Sequence, residues 1–64
     1  MNRYEIYIED IYNKEDKKII LDEINVYKAH KMGLKNTNAL REEIVKIIKD
    51  GKVVYTFKNG FNEE

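Results

Sequence analysis

A chain of 64 residues and 7.7 kDa is one small domain, with no room for a second. Twelve Lys and Arg balance twelve Asp and Glu, 42% of residues are hydrophobic, and there is no Cys. No apolar run exceeds three residues, which excludes a membrane-spanning helix, and the missing Cys excludes a disulfide framework or a thiolate centre. A neutral chain this hydrophobic is not composed like a disordered one.

The first predicted element is a strand from Arg3 to about Tyr12. Tyr4, Ile6 and Ile8 alternate with Glu5, Tyr7 and Glu9. The next apolar residue is Ile11, one place out of phase, so a β-bulge is expected at Glu9-Asp10. Residues 14–32 admit two readings. Asn13 as N-cap, Glu15 and Asp16 in a first turn and Gly33 as a stop would frame a helix. The apolar residues inside it spread around the whole helical wheel, however. As a strand, Ile19 and Leu21 share a face, the phase slips at Asp22-Glu23, and Ile24 and Val26 continue it. The slip echoes the one in the first strand, so the two read as a hairpin through Asn13-Lys14-Glu15-Asp16.

A helix is expected near 38–50. Leu40, Ile44, Ile47 and Ile48 have the spacing of one helical face, Asn36-Thr37-Asn38 offers N-caps, and Gly51 suits a C-terminal stop. A strand, Lys52 to Lys58, follows with Val53, Tyr55 and Phe57 on one face. Asn59-Gly60 is a turn signal, and 59–64 reads as a tail that frays. The expected fold is a small α+β domain of ββαβ order, one helix packed on an antiparallel sheet. The alternative is βααβ with a helix at 14–32.

A chain this short buries only about 60% of its unfolded surface, which leaves little for a deep pocket. There is no Ser, and the three Gly are isolated, so neither a hydroxyl nucleophile with its partners nor a phosphate loop is expected. Thr37 reads as a cap and Thr56 as a strand residue. His30, the only His, lies in a Lys-rich stretch and reads as a surface residue. The acid doublets point to opposite faces of strands and do not converge on an ion. The expectation is a non-enzymatic protein with no cofactor and no metal.

Charge is uneven along the chain. Residues 1–27 carry Arg3, Lys14, Lys17 and Lys18 against Glu5, Glu9, Asp10, Glu15, Asp16, Asp22 and Glu23. Between Ile24 and Arg41 there is no acid at all. Two surfaces follow. An acidic, Tyr-bearing hairpin (Tyr4, Glu5, Tyr7, Glu9, Asp10, Tyr12) suits a basic protein partner, with rings as anchors and acids steering approach. Tyr7, Tyr12 and Val54 are placed on the sheet face that one helix leaves bare. The alternative partner is nucleic acid, met by Tyr27, Lys28, Lys31, Lys35 and Arg41. A third reading is a structural homo-oligomer, with the edge of 52–58 open to pairing in a homodimer.

The run Arg41-Glu-Glu-Ile-Val-Lys-Ile-Ile-Lys-Asp-Gly-Lys-Val-Val-Tyr-Thr resembles an uncharacterised family of short bacterial and phage proteins. In these, a helix ending in Ile-Lys-x-Gly-Lys feeds a Tyr-Thr strand after an N-terminal hairpin; the resemblance implies no activity. Size, acidity and a Lys-, Ile- and Asn-rich usage are also similar to small phage-encoded inhibitors, including anti-CRISPR proteins. That likeness implies a phage or mobile-element inhibitor of a host nucleic-acid-handling enzyme. Met1-Asn2-Arg3-Tyr4-Glu5 does not lead into an apolar signal region, so a cytoplasmic protein without a membrane partner is expected.

Overall fold

A computed structural model describes residues 1–62. The chain runs β1 (Asn2–Asp10), β2 (Asp16–Glu23), α1 (Val26–Lys35), β3 (Glu42–Lys49), β4 (Lys52–Thr56) and β5 (Gly60–Phe61). The strands form one antiparallel sheet in the order β2-β1-β3-β4-β5, and α1 packs on one face of it. This is the expected architecture, one helix on an antiparallel sheet, but the helix is in a different part of the sequence.

The N-terminal hairpin is as expected. β1 and β2 pair from Asn2↔Glu23 to Glu9↔Asp16 without interruption, so there is no bulge at Glu9-Asp10. The strand ends there instead, because Asp10 Oδ1 accepts from the backbone N–H of Tyr12 (2.9 Å) and Asn13 (3.0 Å) and turns the chain. Lys14 completes the turn at positive φ. Ile11, whose phase motivated the bulge, is exposed.

The segment 14–32 is neither one strand nor one helix. It holds all of β2 and most of α1, and the change falls at Ile24-Asn25. Asn25 is the N-cap: its side chain accepts from the Lys28 N–H at 2.9 Å. Val26, Ala29 and Gly33 follow at helical spacing and are buried. The C-terminus is closed by Asn36, which donates from Nδ2 to Met32 O, and by Thr37, which donates from Oγ1 to Leu34 O, both at 2.9 Å. Gly33 is therefore a packing residue inside the helix and not its stop. A Cβ there would lie 3.0 Å from Ile44 Cδ1 and 3.1 Å from Ile6 Cδ1, so the missing side chain lets α1 settle onto β1 and β3.

The helix expected at 38–50 is corrected to strand β3. Ile44, Val45, Ile47 and Ile48 are β-branched and fit a pleated sheet. The helical spacing arises from a bulge. Tyr7 pairs with Lys46 and Ile8 with Ile44, so Val45 is an extra residue, and the two buried side chains Ile44 and Ile47 fall three apart instead of two. Leu40, which would complete a helical stripe, is 84% exposed. Asp50 and Gly51, both at positive φ, form the two-residue turn between β3 and β4. In β4, Val54 is a second extra residue between Ile47↔Tyr55 and Ile48↔Val53. The bulge buries Val54 and Tyr55 together and leaves Val53 and Phe57 exposed, which overturns both the shared face of 53, 55 and 57 and the bare-face position of Val54. β5 covers the outer edge of β4 at Tyr55 and Thr56, so that edge is not open to a second copy. Asn62 follows β5, and Glu63 and Glu64 of the expected tail lie outside the described residues.

The core is Tyr4, Ile6 and Ile8 of β1, Ile44 and Ile47 of β3, Val54 and Tyr55 of β4, and Val26 and Ala29 of α1, with Ile19 and Leu21 of β2 packed at its side. Two substitutions separate this strand arrangement from a helix at 38–50. Ile47→Ala is expected to cost about 2–5 kcal/mol, the usual range for a buried Ile, and Leu40→Ala no more than about 0.5 kcal/mol. Urea denaturation of both variants checks this; a large loss at Leu40 would reject the arrangement. Gly51→Ala, forced to hold positive φ, is expected to lower stability by about 1 kcal/mol in the same measurement.

Candidate protein-binding surface

Along β1 the side chains alternate, so burying Tyr4, Ile6 and Ile8 under α1 turns Glu5, Tyr7 and Glu9 to the opposite face. Among the described residues no element covers that face. The register arranges it in rows. Tyr7 lies between Lys18 of β2 and Lys46 of β3, whose Nζ atoms are 5.8 and 4.9 Å from its ring centroid. Tyr7 Oη donates to Glu5 Oε1 at 3.3 Å, and Lys18 Nζ reaches the same oxygen at 3.5 Å. One row further, Glu9 pairs in register with Asp16 on one side and Glu43 on the other. Tyr7, Glu9, Asp16, Val45 and Lys46 line an open depression of about 330 Å³.

Three of the six hairpin residues named from the sequence therefore share this face: Glu5, Tyr7 and Glu9. Tyr4 does not. It lies fully buried beneath the helix, because it shares the phase of Ile6 and Ile8, and it leaves the candidate surface. Asp10 is committed to structure. Beyond the two turn N–H groups it accepts from Arg41 Nε at 2.8 Å through Oδ2. These hydrogen bonds, first that from Asn13, hold its carboxyl below the ordinary Asp range. Tyr12, 71% exposed in the turn, has the Arg41 guanidinium 5.8 Å from its ring.

The basic set is also divided. Lys28, Lys31 and Lys35 form one exposed stripe on the outer side of α1. Arg41 is paired with Asp10 instead. Tyr27 is half of an aromatic contact with Phe61 at 4.7 Å. His30 is not a plain surface residue: its ring lies 4.6 Å from Tyr55 and 5.3 Å from Phe61, and burial pushes its pKa below the ordinary His value. Tyr27, His30, Tyr55 and Phe61 thus clamp α1 to β4 and β5.

Sequence reasoning missed a second concavity. On the helix side, His30, Leu34, Ile44, Tyr55 and Phe57, with Glu42 and Glu43 at the rim, enclose about 260 Å³. Only the true position of the helix brings Leu34 and His30 to Phe57. Glu42 is occupied there: it accepts from the Asn38 N–H at 2.8 Å and pairs with Lys17 at 3.3 Å, and these hold its carboxyl below the ordinary Glu range. Among the described residues no three His, Asp or Glu side chains gather as a metal site, and no helix is long and apolar enough to cross a membrane. No protein-family profile matches the chain, and no curated protein or solved structure matches it either.

Asp10 and Glu42 have folded-state pKa values below their unfolded ones, so the unfolded chain takes up protons first as pH falls. Their contribution is complete above the unfolded carboxylate range and is lost as pH falls through the folded values. Asp10→Asn is therefore expected to be less stable than the natural chain near neutrality. The gap should close as acid denaturation profiles descend through the carboxylate range; a constant gap would show that the charge on Asp10 is not involved.

Proposed function

We infer that this is a non-enzymatic protein-binding module whose bare sheet face receives a basic protein surface. The observation that carries the reading is the depression in which the Tyr7 ring, Glu9 and Asp16 converge on the face opposite the helix. A half-buried ring with an amphipathic tip is a common anchor in protein interfaces, and two carboxylates beside it suit an incoming Lys or Arg. Lys18 and Lys46 brace the ring on either side, which fixes the anchor before a partner arrives. In its fullest form the module is an inhibitor, carried by a phage or mobile element in the cytoplasm, that occludes a host enzyme acting on nucleic acid. The resemblance of its size and composition to small phage inhibitors supports that version.

A second reading rests on the exposed stripe Lys28, Lys31 and Lys35, whose i, i+3, i+7 spacing could follow a phosphate backbone. One experiment separates the two. The tagged protein is used to capture partners from a bacterial lysate, with and without nuclease. Capture that survives nuclease and is abolished by Glu9→Lys with Asp16→Lys is the expected outcome. Capture lost to nuclease and to Lys28→Glu with Lys31→Glu supports the second reading. Loss through Phe57→Lys alone, with the acid reversals silent, moves the contact to the helix-side groove and rejects the bare face.

A further inference from the structure

We propose that the chain forms a two-fold symmetric homodimer by antiparallel pairing of β2 with β2 of a second copy, centred on Ile20. This does not depend on the partner reading above. β2 is the outermost strand, eight residues long, and among the described residues no main chain pairs with its far side. Such an edge is a template for another strand. The opposite end of the sheet offers only the two residues of β5.

The sequence of β2, Asp16-Lys-Lys-Ile-Ile-Leu-Asp-Glu23, carries two lysines before an aliphatic centre and two acids after it, with Asp16 outside the lysines. Two antiparallel copies reverse one such pattern against the other. The symmetry axis then runs along the sheet normal, both bare faces point the same way, and residues that meet must come from the same face. Lys18, Ile20 and Asp22 share the bare face because they pair with Tyr7, Glu5 and Arg3; Ile19 and Leu21 share the helix face with Ile6 and Tyr4. Only registers centred on a residue satisfy this. Centring on Ile19 sets Asp16 against Asp22. Centring on Leu21 sets Ile20 against Asp22 and Lys18 against Ile24. Centring on Ile20 sets Lys18 against Asp22, Lys17 against Glu23 and Ile19 against Leu21, each pair occurring twice, and leaves Asp16 against Ile24 only at the two ends.

That register also covers what the single chain leaves open. Ile20 is 54% exposed, and Ile19 and Leu21 are only partly buried at the side of the core. Lys on an edge strand commonly keeps copies apart; here each Lys finds a carboxylate of the second copy. Lys17 and Lys18 do contact Glu42 and Glu5 within the chain, at 3.3 and 3.5 Å, but these pairs are solvent-exposed on the lysine side and weakly binding. The helices do not obstruct the pairing. α1 contacts β2, β1 and β3 alike, so it sits over β1. Strand spacing then puts the two helix axes roughly 14 Å apart, beyond the 8–10 Å of helices in contact. The result is a continuous ten-stranded sheet with both Tyr7 residues on one face.

Sedimentation equilibrium of the full chain tests this. The mass is expected to rise with concentration from 7.7 kDa towards twice that value. Ile20→Lys and Ile20→Glu each place two like charges on the axis and should weaken association by about tenfold or more. Because Ile20 is outside the core, both variants should keep the circular dichroism of the natural chain, and its melting behaviour at concentrations low enough for the natural chain to be monomeric. Mixing the two variants in equal amounts should restore the dimer, since an ammonium then meets a carboxylate on the axis only if position 20 faces itself. A natural chain that stays monomeric at millimolar concentration, an Ile20→Lys chain that dimerises undiminished, or a mixture that stays monomeric would each overturn the proposal.

Discussion

Among the described residues, one ten-residue helix is all the cover this sheet has. At 1.5 Å per residue α1 is about 15 Å long and about 10 Å across, while five strands span roughly 19 Å. It can shield only the middle of one face. The core is therefore centred on β1, and the three apolar residues of that strand, Tyr4, Ile6 and Ile8, are the most completely buried part of the sheet. Close approach makes so small a cover sufficient. Gly33 brings the helix against Ile6 and Ile44, and the ring cluster of Tyr27, His30, Tyr55 and Phe61 ties its flank to β4 and β5.

The same limit explains how charge is distributed. Along the sequence, the acidic first part and the basic middle look like the two ends of a dipole. The sheet order folds one onto the other. β1 lies between β2 and β3, so Asp10 meets Arg41, and Lys17 of β2 reaches Glu42. These pairs join the first hairpin to the segment entering β3, beside the C-terminal end of α1. What remains of the acidic half on the bare face is Glu5, Glu9, Asp16 and Asp22, interleaved with Arg3, Lys18 and Lys46. A run of like charge in sequence was thus a poor guide to a patch in space, and the Asp10–Arg41 pair removes one residue from each of the two surfaces read from the chain.

The N-terminal hairpin was legible because its pairing is regular: a period of two survives intact from Tyr4 to Glu9. That alternation already assigned Tyr4 to the buried face with Ile6 and Ile8, and grouping it with Tyr7 as a surface ring ignored its phase. The C-terminal half was illegible for a definite reason. The extra residue Val45 turns a strand spacing of two into three, which is also a helical interval, so Ile44, Ile47 and Ile48 imitate one face of a helix. Two signals opposed that reading. The run is β-branched, and Asp50-Gly51 is a hairpin turn pair set between Ile47-Ile48-Lys49 and Lys52-Val53-Val54. The true helix was masked by its neighbour, since joining Ile19-Ile20-Leu21 to Val26-Tyr27 spreads apolar residues around any wheel. Separated at the Asn25 cap, Val26, Ala29 and Gly33 make a clean stripe.

The bare face and the free edge are therefore consequences of one shortage rather than two separate features. Among the described residues, a sheet with a single short helix has one face and one long edge strand without partners. The chain carries different side chains at the two places. On the face, ring and charge alternate row by row, a pattern that keeps the surface wetted while presenting Tyr7. On the edge, Lys17 and Lys18 stand on one side of an aliphatic centre and Asp22 and Glu23 on the other, so these four residues match their own reversal. Among the described residues the interior is taken up by holding one helix against one sheet, and rings, lysines and carboxylates occupy the surfaces that the helix does not reach.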